Sequence, residues 1–305
     1  MAEVMGKNGT WTFDGDLLRI VPGHDKEVSR VRAALGEIVV PLAAVGGIAF
    51  EAAPEGGKSG KKAKNGAGRL RLRLRSGADP FLQACGGRLA DDSDPYQLEL
   101  PPERGGVAEY FADEVRDALT VAQVPSDEPA ERYLVAAPGV PVTATGQDGA
   151  ASFDGETVRL EWNWLADLKK RNAGTREWPL SALAAVEWRP AVGIDWGWIR
   201  FRIRGAAGIV NANPRLDPDC LTLWGTKKES GASAVLAAAV VGRMRHPSAG
   251  VAELESEAGG KPAAVGSDHD AMLRRLRELG ELRRDGVLTD EEFAVAKQAV
   301  LRQFG

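Results

Sequence analysis

The sequence has few of the residues from which metal centres and disulfide frameworks are built. Its 305 residues include two cysteines and three histidines. Cys85 and Cys220 lie in different halves of the chain, and neither stands in a CxxC or another metal-ligand spacing. A disulfide framework is therefore not expected, and the pattern is typical of ordinary thiols in a reducing compartment.

Long apolar runs and an excess of basic charge are also lacking. No run approaches the roughly 20 apolar residues of a membrane-spanning helix, and Glu3 and Lys7 interrupt the segment where a secretory signal has its apolar core. The net charge of −4 provides no basic field for nucleic acid. We expect a cytoplasmic protein without a nucleic-acid partner, and peripheral contact with the inner face of the membrane stays open.

Signatures of catalysis are missing as well. His24, His246 and His269 fall in predicted loops or linkers, without a cysteine or an acid at metal-ligand spacing. The sequence contains neither the Gly-x-Ser-x-Gly elbow of hydrolases nor the HExxH motif of zinc proteases. We therefore expect a protein that is not an enzyme, with no catalytic residues, no cofactor and no metal.

The chain does contain an internal repeat. Four blocks recur in the same order, and the distance between the copies shrinks from 140 to 123 residues because the first copy has longer loops. The paired blocks are residues 13–15 and 153–155, 41–42 and 179–180, 70–75 and 199–204, and 94–95 and 217–218. Such register over four blocks predicts two copies of one domain.

Each copy alternates apolar and polar residues at a period of two, which predicts strands. The predicted strands are residues 10–13, 17–21, 37–42, 47–52, 69–75, 80–84 and 96–100, then 151–153, 157–162, 176–180, 186–189, 198–204, 209–211 and 220–224. A helix follows each set, because Val107, Phe111, Val115 and Ala118 share one helical face and residues 229–245 are rich in alanine and valine.

Seven strands followed by a helix is the element order of a pleckstrin-homology-like fold. The predicted fold class is thus mainly β with α (α+β), with two tandem pleckstrin-homology-like domains of about seven strands plus a C-terminal helix each. The predicted bounds are 9–121 and 148–246 for the two copies, 122–147 and 247–267 for linkers, and 268–305 for a C-terminal two-helix hairpin.

The predicted hairpin has two apolar faces and a capping box, in which Thr289 caps the second helix and Glu292 reaches back to it. The apolar residues are Leu276, Leu279 and Leu282 in the first helix and Phe293, Val300 and Phe304 in the second. Two helices this short bury too little surface to fold alone. Their apolar faces therefore need a partner, which is this chain, another copy of it or a different protein.

Residues 276–293, with their leucine-rich helix, glycine turn and Thr-Asp-Glu-Glu-Phe, closely resemble the SHOCT family of short C-terminal domains. This resemblance implies a module for oligomerisation or tethering. The duplicated part, through residues 13–15 with Pro41-Leu42 and residues 153–155 with Pro179-Leu180, resembles the domain of unknown function 4429, which is typical of actinobacteria. That resemblance implies no activity.

Two basic features are candidate sites for anions or lipid headgroups. They comprise Arg71, Arg73 and Arg75 on one face of a predicted strand, and Lys58, Lys61, Lys62 and Lys64 in the glycine-rich loop before it. Guanidinium groups grip phosphate in bidentate fashion, and lysines near a membrane are attracted to anionic lipid. The alternative is a solvated sheet face whose arginines pair with acids on neighbouring strands, preceded by a solubilising loop.

Tryptophan is concentrated in the second copy, with seven residues against one in the first. Trp196 and Trp198 flank a glycine in or beside a predicted turn, and are candidates for an interaction surface, although some of the seven belong to the core. We expect a non-enzymatic binding or scaffold protein whose hairpin mediates oligomerisation or partner docking. The alternative is binding to anionic membrane lipid through the basic loop and the arginines of the first copy.

Overall fold

In the described residues, each half of the chain contains seven strands. The computed structural model describes residues 1–24, 28–52, 68–192, 195–205, 213–224 and 227–249, which all belong to the unit Met1–Gly250. The strands of the first copy are β1 (Ala2–Gly6), β2 (Gly9–Phe13), β3 (Leu17–Pro22), β4 (Ile38–Pro41), β5 (Val45–Glu51), β6 (Gly68–Leu74) and β7 (Gln97–Leu100). Those of the second are β8 (Val142–Thr145), β9 (Gly149–Phe153), β10 (Thr157–Trp162), β11 (Arg176–Pro179), β12 (Leu183–Arg189), β13 (Gly197–Ile203) and β14 (Cys220–Leu223).

Five helices accompany these strands in the described residues. They are α1 (Arg30–Leu35), α2 (Pro80–Cys85), α3 (Gly105–Val121), α4 (Leu168–Ala173) and α5 (Lys227–Val241). None of the described helices is long and apolar enough to cross a bilayer. The mainly β, α+β class predicted from the sequence is confirmed, while the likeness to the pleckstrin-homology fold stays a prediction.

Each copy contains one four-stranded and one three-stranded antiparallel sheet. The strand orders are β1-β2-β3-β4 with β5-β6-β7, and β8-β9-β10-β11 with β12-β13-β14. The repeated Phe-Asp-Gly block forms the same turn twice. Asp14 accepts hydrogen bonds from the backbone of Asp16 and Leu17, and Asp154 accepts them from Glu156 and Thr157, which lowers the pKa of both carboxyl groups.

A buried cation bridges the two sheets in the second copy. Lys170 on α4 is fully buried, and its Nζ donates to Asp148 Oδ2 and to the backbone oxygen of Cys220, both at 2.6 Å. Asp148 Oδ1 accepts from the backbone nitrogen of Thr222 on β14 at 2.9 Å. Because a buried charge is costly without a partner, this ion pair holds α4, the β8–β9 turn and β14 in one arrangement.

One predicted strand is a helix in the structure, and two strands lie outside the predicted bounds of the copies. Residues 80–84 form the helix α2 instead of a strand, because Asp79 caps it through the backbone nitrogens of Phe81 and Leu82 and Pro80 occupies its first turn. Strand β1 begins before the predicted start of the first copy, and β8 lies inside the predicted linker. The predicted strand at residues 209–211 lies outside the described residues.

The linker segment also packs against the first copy. Ala130 and Val135 are buried in the core of that copy. The backbone nitrogens of Ala130 and Leu134 donate to the oxygens of Ser76 and Ala78 at 2.8 Å. The segment predicted as an extended connector therefore packs against the first copy and adds Ala130 and Val135 to its core.

The C-terminal helices of the two copies differ in how they are buried. Helix α3 is amphipathic: Phe111 and Val115 face the core, while Tyr110 is 59% exposed. Helix α5 is apolar on all sides over its C-terminal part, where every residue from Leu236 to Val240 is completely buried. A helix without a polar face is covered from more than one direction.

Helix α5 packs against the first copy as well as against the sheets of the second. Val31 on α1 and Phe81, Ala84 and Cys85 on α2 belong to the same apolar cluster as α5 and the sheets of the second copy. Helices α1 and α5 approach so closely that a Cβ on Gly231 would lie 2.6 Å from the backbone oxygen of Arg30. The two copies are thus joined through a shared core.

We predict that Gly231→Ala lowers the stability of the folded protein, because the added methyl group pushes α5 away from α1. The expected loss is about 1–3 kcal/mol in the free energy of unfolding, the usual cost of overpacking. Chemical denaturation of the full chain followed by tryptophan fluorescence measures it.

The matched control is Gly106→Ala on α3, where an added Cβ meets no atom within 4 Å. This substitution is expected to be neutral or to stabilise by about 0.5 kcal/mol, since alanine is the better helix former. Equal effects of the two substitutions would contradict the close contact between α1 and α5.

Candidate functional site on the outer sheet faces

The predicted arginine row lies on the outer face of the sheet β5-β6-β7. Strand β6 alternates strictly, so that Leu70, Leu72 and Leu74 are buried in the core of the first copy. Arg71 and Arg73 therefore project to the opposite face. The orientation predicted from the alternation of residues 69–75 is the one that the structure has.

The arginines of this row contact acids and backbone oxygens. Arg71 Nε lies 3.3 Å from Glu51 Oε1 without hydrogen-bond alignment, and Arg73 Nη2 lies 3.2 Å from Asp127 Oδ1. Arg75 donates to the backbone oxygens of Ala43 and Glu128 at 3.0 Å. This arrangement resembles the alternative to an anion site, a solvated sheet face whose arginines are paired with acids. A phosphate or lipid headgroup at these residues has to displace the partners already present.

The lysines of the preceding loop lie outside the described residues, between the ends of β5 and β6. They are Lys58, Lys61, Lys62 and Lys64. Their role in anion or lipid binding stays a prediction. The same holds for the apolar residues of the C-terminal hairpin, all of which lie outside the described residues: Leu276, Leu279, Leu282, Phe293, Val300 and Phe304.

The equivalent face of the second copy, on β12-β13-β14, carries an ion-pair network centred on a buried arginine. Arg200 is 4% exposed, and its Nε donates to Asp217 Oδ2 at 2.7 Å. Glu187 accepts from Arg202 Nε at 2.8 Å and lies 3.5 Å from Arg200 Nη1. The hydrogen bond to Glu187 raises the pKa of Arg202.

Beyond this network the face becomes aromatic. Trp196 and Trp224 meet edge to face, with 4.4 Å between their ring centres. Trp198 lies between β12 and β14, paired with Arg189 on one side and Thr222 on the other. We call Trp196, Trp198 and Trp224 the tryptophan surface. Trp224 is 47% exposed and the other two are half-buried.

Two arginines lie against the tryptophan surface. The guanidinium carbon of Arg215 lies 5.0 Å from the ring centre of Trp196, and that of Arg189 lies 4.9 Å from the ring centre of Trp198. Such stacking orients each guanidinium over a ring and limits its motion. The sequence reasoning identified Trp196 and Trp198, but missed Trp224, Arg189 and Arg215. The strand register brings Trp224 and Arg189 to this place, and Arg215 reaches it from the turn before β14.

The remaining tryptophans of the second copy divide between core and surface. Trp178 and Trp188 are buried, and Trp188 Nε1 donates to Ser233 Oγ on α5 at 2.9 Å. Trp162 lies against Lys170, whose Nζ is 4.9 Å from the ring centre. Trp164, beyond the end of β10, is 80% exposed.

Within the described ranges no group of histidine, cysteine, aspartate and glutamate side chains is placed to hold a metal ion. Both cysteines are buried, and burial raises the pKa of Cys220 to about 12 and that of Cys85 further still. At neutral pH both side chains are protonated thiols, which are poor nucleophiles.

The fold defines a protein built from a tandem α+β domain. The chain belongs to the family of the domain of unknown function DUF4429, whose model matches residues 11–116 and 151–241. The SHOCT family model, described as a short C-terminal domain, matches residues 274–301. No curated protein sequence matches the chain. Both resemblances seen in the sequence are thereby confirmed.

Arg71 and Arg200 occupy equivalent strand positions, yet we predict opposite consequences for their replacement by alanine. Arg71→Ala removes an exposed ion pair and is expected to change the free energy of unfolding by less than about 0.5 kcal/mol. Arg200→Ala removes the buried ion-pair partner of Asp217 and is expected to lower the free energy of unfolding by about 3–5 kcal/mol. Urea denaturation of both variants tests this difference, and similar losses would contradict the distinct burial of the two residues.

Proposed function

We propose that this protein is a non-enzymatic binding protein whose second copy engages a protein partner through the tryptophan surface. The observation that carries the proposal is the cluster of Trp196, Trp198 and Trp224 with stacked Arg189 and Arg215 on an outer sheet face. Tryptophan and arginine are the residues most enriched among those that dominate binding energy at protein interfaces.

The ion pairs of the first copy favour a protein partner over a membrane. Arg71 and Arg73 already contact Glu51 and Asp127, and these acids reduce the attraction of the face for anionic lipid. On the second copy, aromatic rings offer apolar area while the arginines offer donors to carboxylates and carbonyls. This combination suits a polypeptide surface of mixed polarity.

The C-terminal hairpin has a separate part in this proposal. Its SHOCT resemblance and its two apolar faces support self-association or docking onto a partner. Several copies on one assembly present several tryptophan surfaces, and linked sites bind a multivalent partner far more tightly than single sites. The protein is accordingly proposed to act as a scaffold.

The first experiment compares partners captured from the native host by the wild type and by the double variant Trp196→Ser, Trp224→Ser. A partner bound through the tryptophan surface is expected to bind the variant about 30-fold or more weakly, as for the loss of a hot spot worth 2 kcal/mol. Binding of the purified partner is then measured by calorimetry.

Tyr110→Ser provides the matched control, since Tyr110 is an exposed aromatic residue on α3 of the first copy. It is expected to leave the partner's affinity unchanged. Recovery of the same partners at the same affinity by the double variant would overturn the proposal for the tryptophan surface.

The second experiment measures the molar mass of the full chain and of a chain lacking residues 268–305 by light scattering. We expect the full chain to have the mass of an oligomer and the shortened chain that of a monomer, because the apolar hairpin faces are removed. Leu279→Asp in the full chain is expected to act like the truncation. An unchanged number of subunits would contradict the assembly role.

A further inference from the structure

The buried cation of the second copy has a counterpart in the first, at Arg32 on α1, 138 residues earlier. Arg32 is 3% exposed, and its Nη2 donates to the backbone oxygen of Gln97 at 2.7 Å and to that of Asp94. Gln97 is the equivalent of Cys220, whose oxygen accepts from Lys170. Both copies thus use a buried cation on a short helix to bind the last strand of the sheet.

The counter-ion is present in one copy only. In the second copy, Asp148 supplies an oxygen to Lys170 and another to the backbone nitrogen of Thr222. The first copy has the neutral Asn8 at that position, and its Oδ1 accepts from the backbone nitrogen of Glu99 at 3.1 Å. The Nδ2 donor of Asn8 therefore takes the place of the carboxylate oxygen that pairs with the cation.

A small cavity is lined by both Arg32 and Asn8, together with Trp11, Pro22 and Pro95. Its free volume is about 10 Å³, room for one oxygen-sized atom. Arg32 Nε is buried and has no hydrogen-bond partner in the described part of the chain. Pro22 is the equivalent of Trp162, the ring that lies beside Lys170 in the second copy.

The nearest acids do not supply the missing acceptor. Asp94 uses its carboxylate oxygens for the backbone nitrogen of Tyr96 and for Gln97 Nε2, both at 2.9 Å. No carboxylate of the described residues forms an ion pair with Arg32. A buried donor without an acceptor is costly, and Arg32 Nε is such a donor in the described part of the chain.

We infer that this cavity is a binding site for a small carboxylate, one oxygen of which accepts hydrogen bonds from Arg32 and Asn8. The ligand oxygen reproduces the contact that Asp148 makes to Lys170 within the second copy. A free organic acid and an aspartate side chain of a protein both carry this group. The site lies in the first copy and is independent of the tryptophan surface.

Formate is the probe for the free acid, and N-acetyl-aspartate methylamide is the probe for a protein side chain. Carbon-13-labelled formate is titrated into the full-length protein, with sodium sulfate holding the ionic strength constant, and its line width is followed by NMR. We expect saturable broadening with the wild type. Displacement of formate by the aspartate derivative at similar concentration points to a protein ligand, and its failure to compete points to a free acid.

Asn8→Asp is the decisive variant, because its own second oxygen fills the position that the ligand takes. It is expected to lose at least about tenfold in formate affinity, the equivalent of one hydrogen bond of about 1.4 kcal/mol. Arg71→Ala, which alters an exposed arginine, is expected to bind formate like the wild type. Arg32→Lys removes the Nε donor and is expected to weaken formate binding if Asn8→Asp does not fold.

Three outcomes would overturn the inference. The first is a wild-type protein without saturable broadening. The second is an Asn8→Asp variant, or an Arg32→Lys variant in its place, that binds formate as tightly as the wild type. The third is loss of binding in Arg71→Ala, which would assign the signal to the outer arginine face.

Discussion

The structure depends on one helix that is buried from two sides. Helix α5 closes the second copy and covers α1 and α2 of the first, so its residues from Leu236 to Val240 have no contact with water. Only small and branched apolar side chains fit such a place, and the run of Ala237, Ala238, Ala239 and Val240 meets that requirement. The amphipathic α3, which has the same position in the first copy, is covered on one side only.

Duplication gave the two copies one backbone plan, and their polar positions then diverged. Asn8 and Asp148 bind the same strand backbone, but only the latter is charged. Arg71 and Arg200 lie at the same place in their sheets, the one exposed and the other buried. At these positions the copies retain the hydrogen bonds that hold the sheets together and differ in the charge or the burial of the side chain.

Sequence patterns predicted the strands whose alternation is regular. Leu70, Leu72 and Leu74 define β6, and the Phe-Asp-Gly blocks mark both hairpins. Residues 80–84 were misassigned because a short apolar run has no clear period, although Asp79-Pro80 is a helix start signal. The tryptophan surface was predicted in part, since strand parity places Trp196 and Trp198 on one face. Trp224 joins them only through the register of β13 and β14.

The burial of Arg32 was beyond prediction, since arginine is almost always exposed unless paired. The close contact of the copies was equally hidden, because the apolar character of α5 indicates burial without indicating what covers it. Both features arise from tertiary packing between segments far apart in the chain.

The position of α5 near the end of the described chain has a consequence for synthesis on the ribosome. Val31 and Phe81 emerge long before the helix that covers them, since α5 begins about 200 residues after Val31 and about 150 residues after Phe81. At roughly 5–20 residues per second this interval lasts about 7–40 s. Throughout it the nascent first copy presents the apolar faces of α1 and α2 to solvent, so the order of the two copies sets how long these faces wait for their cover.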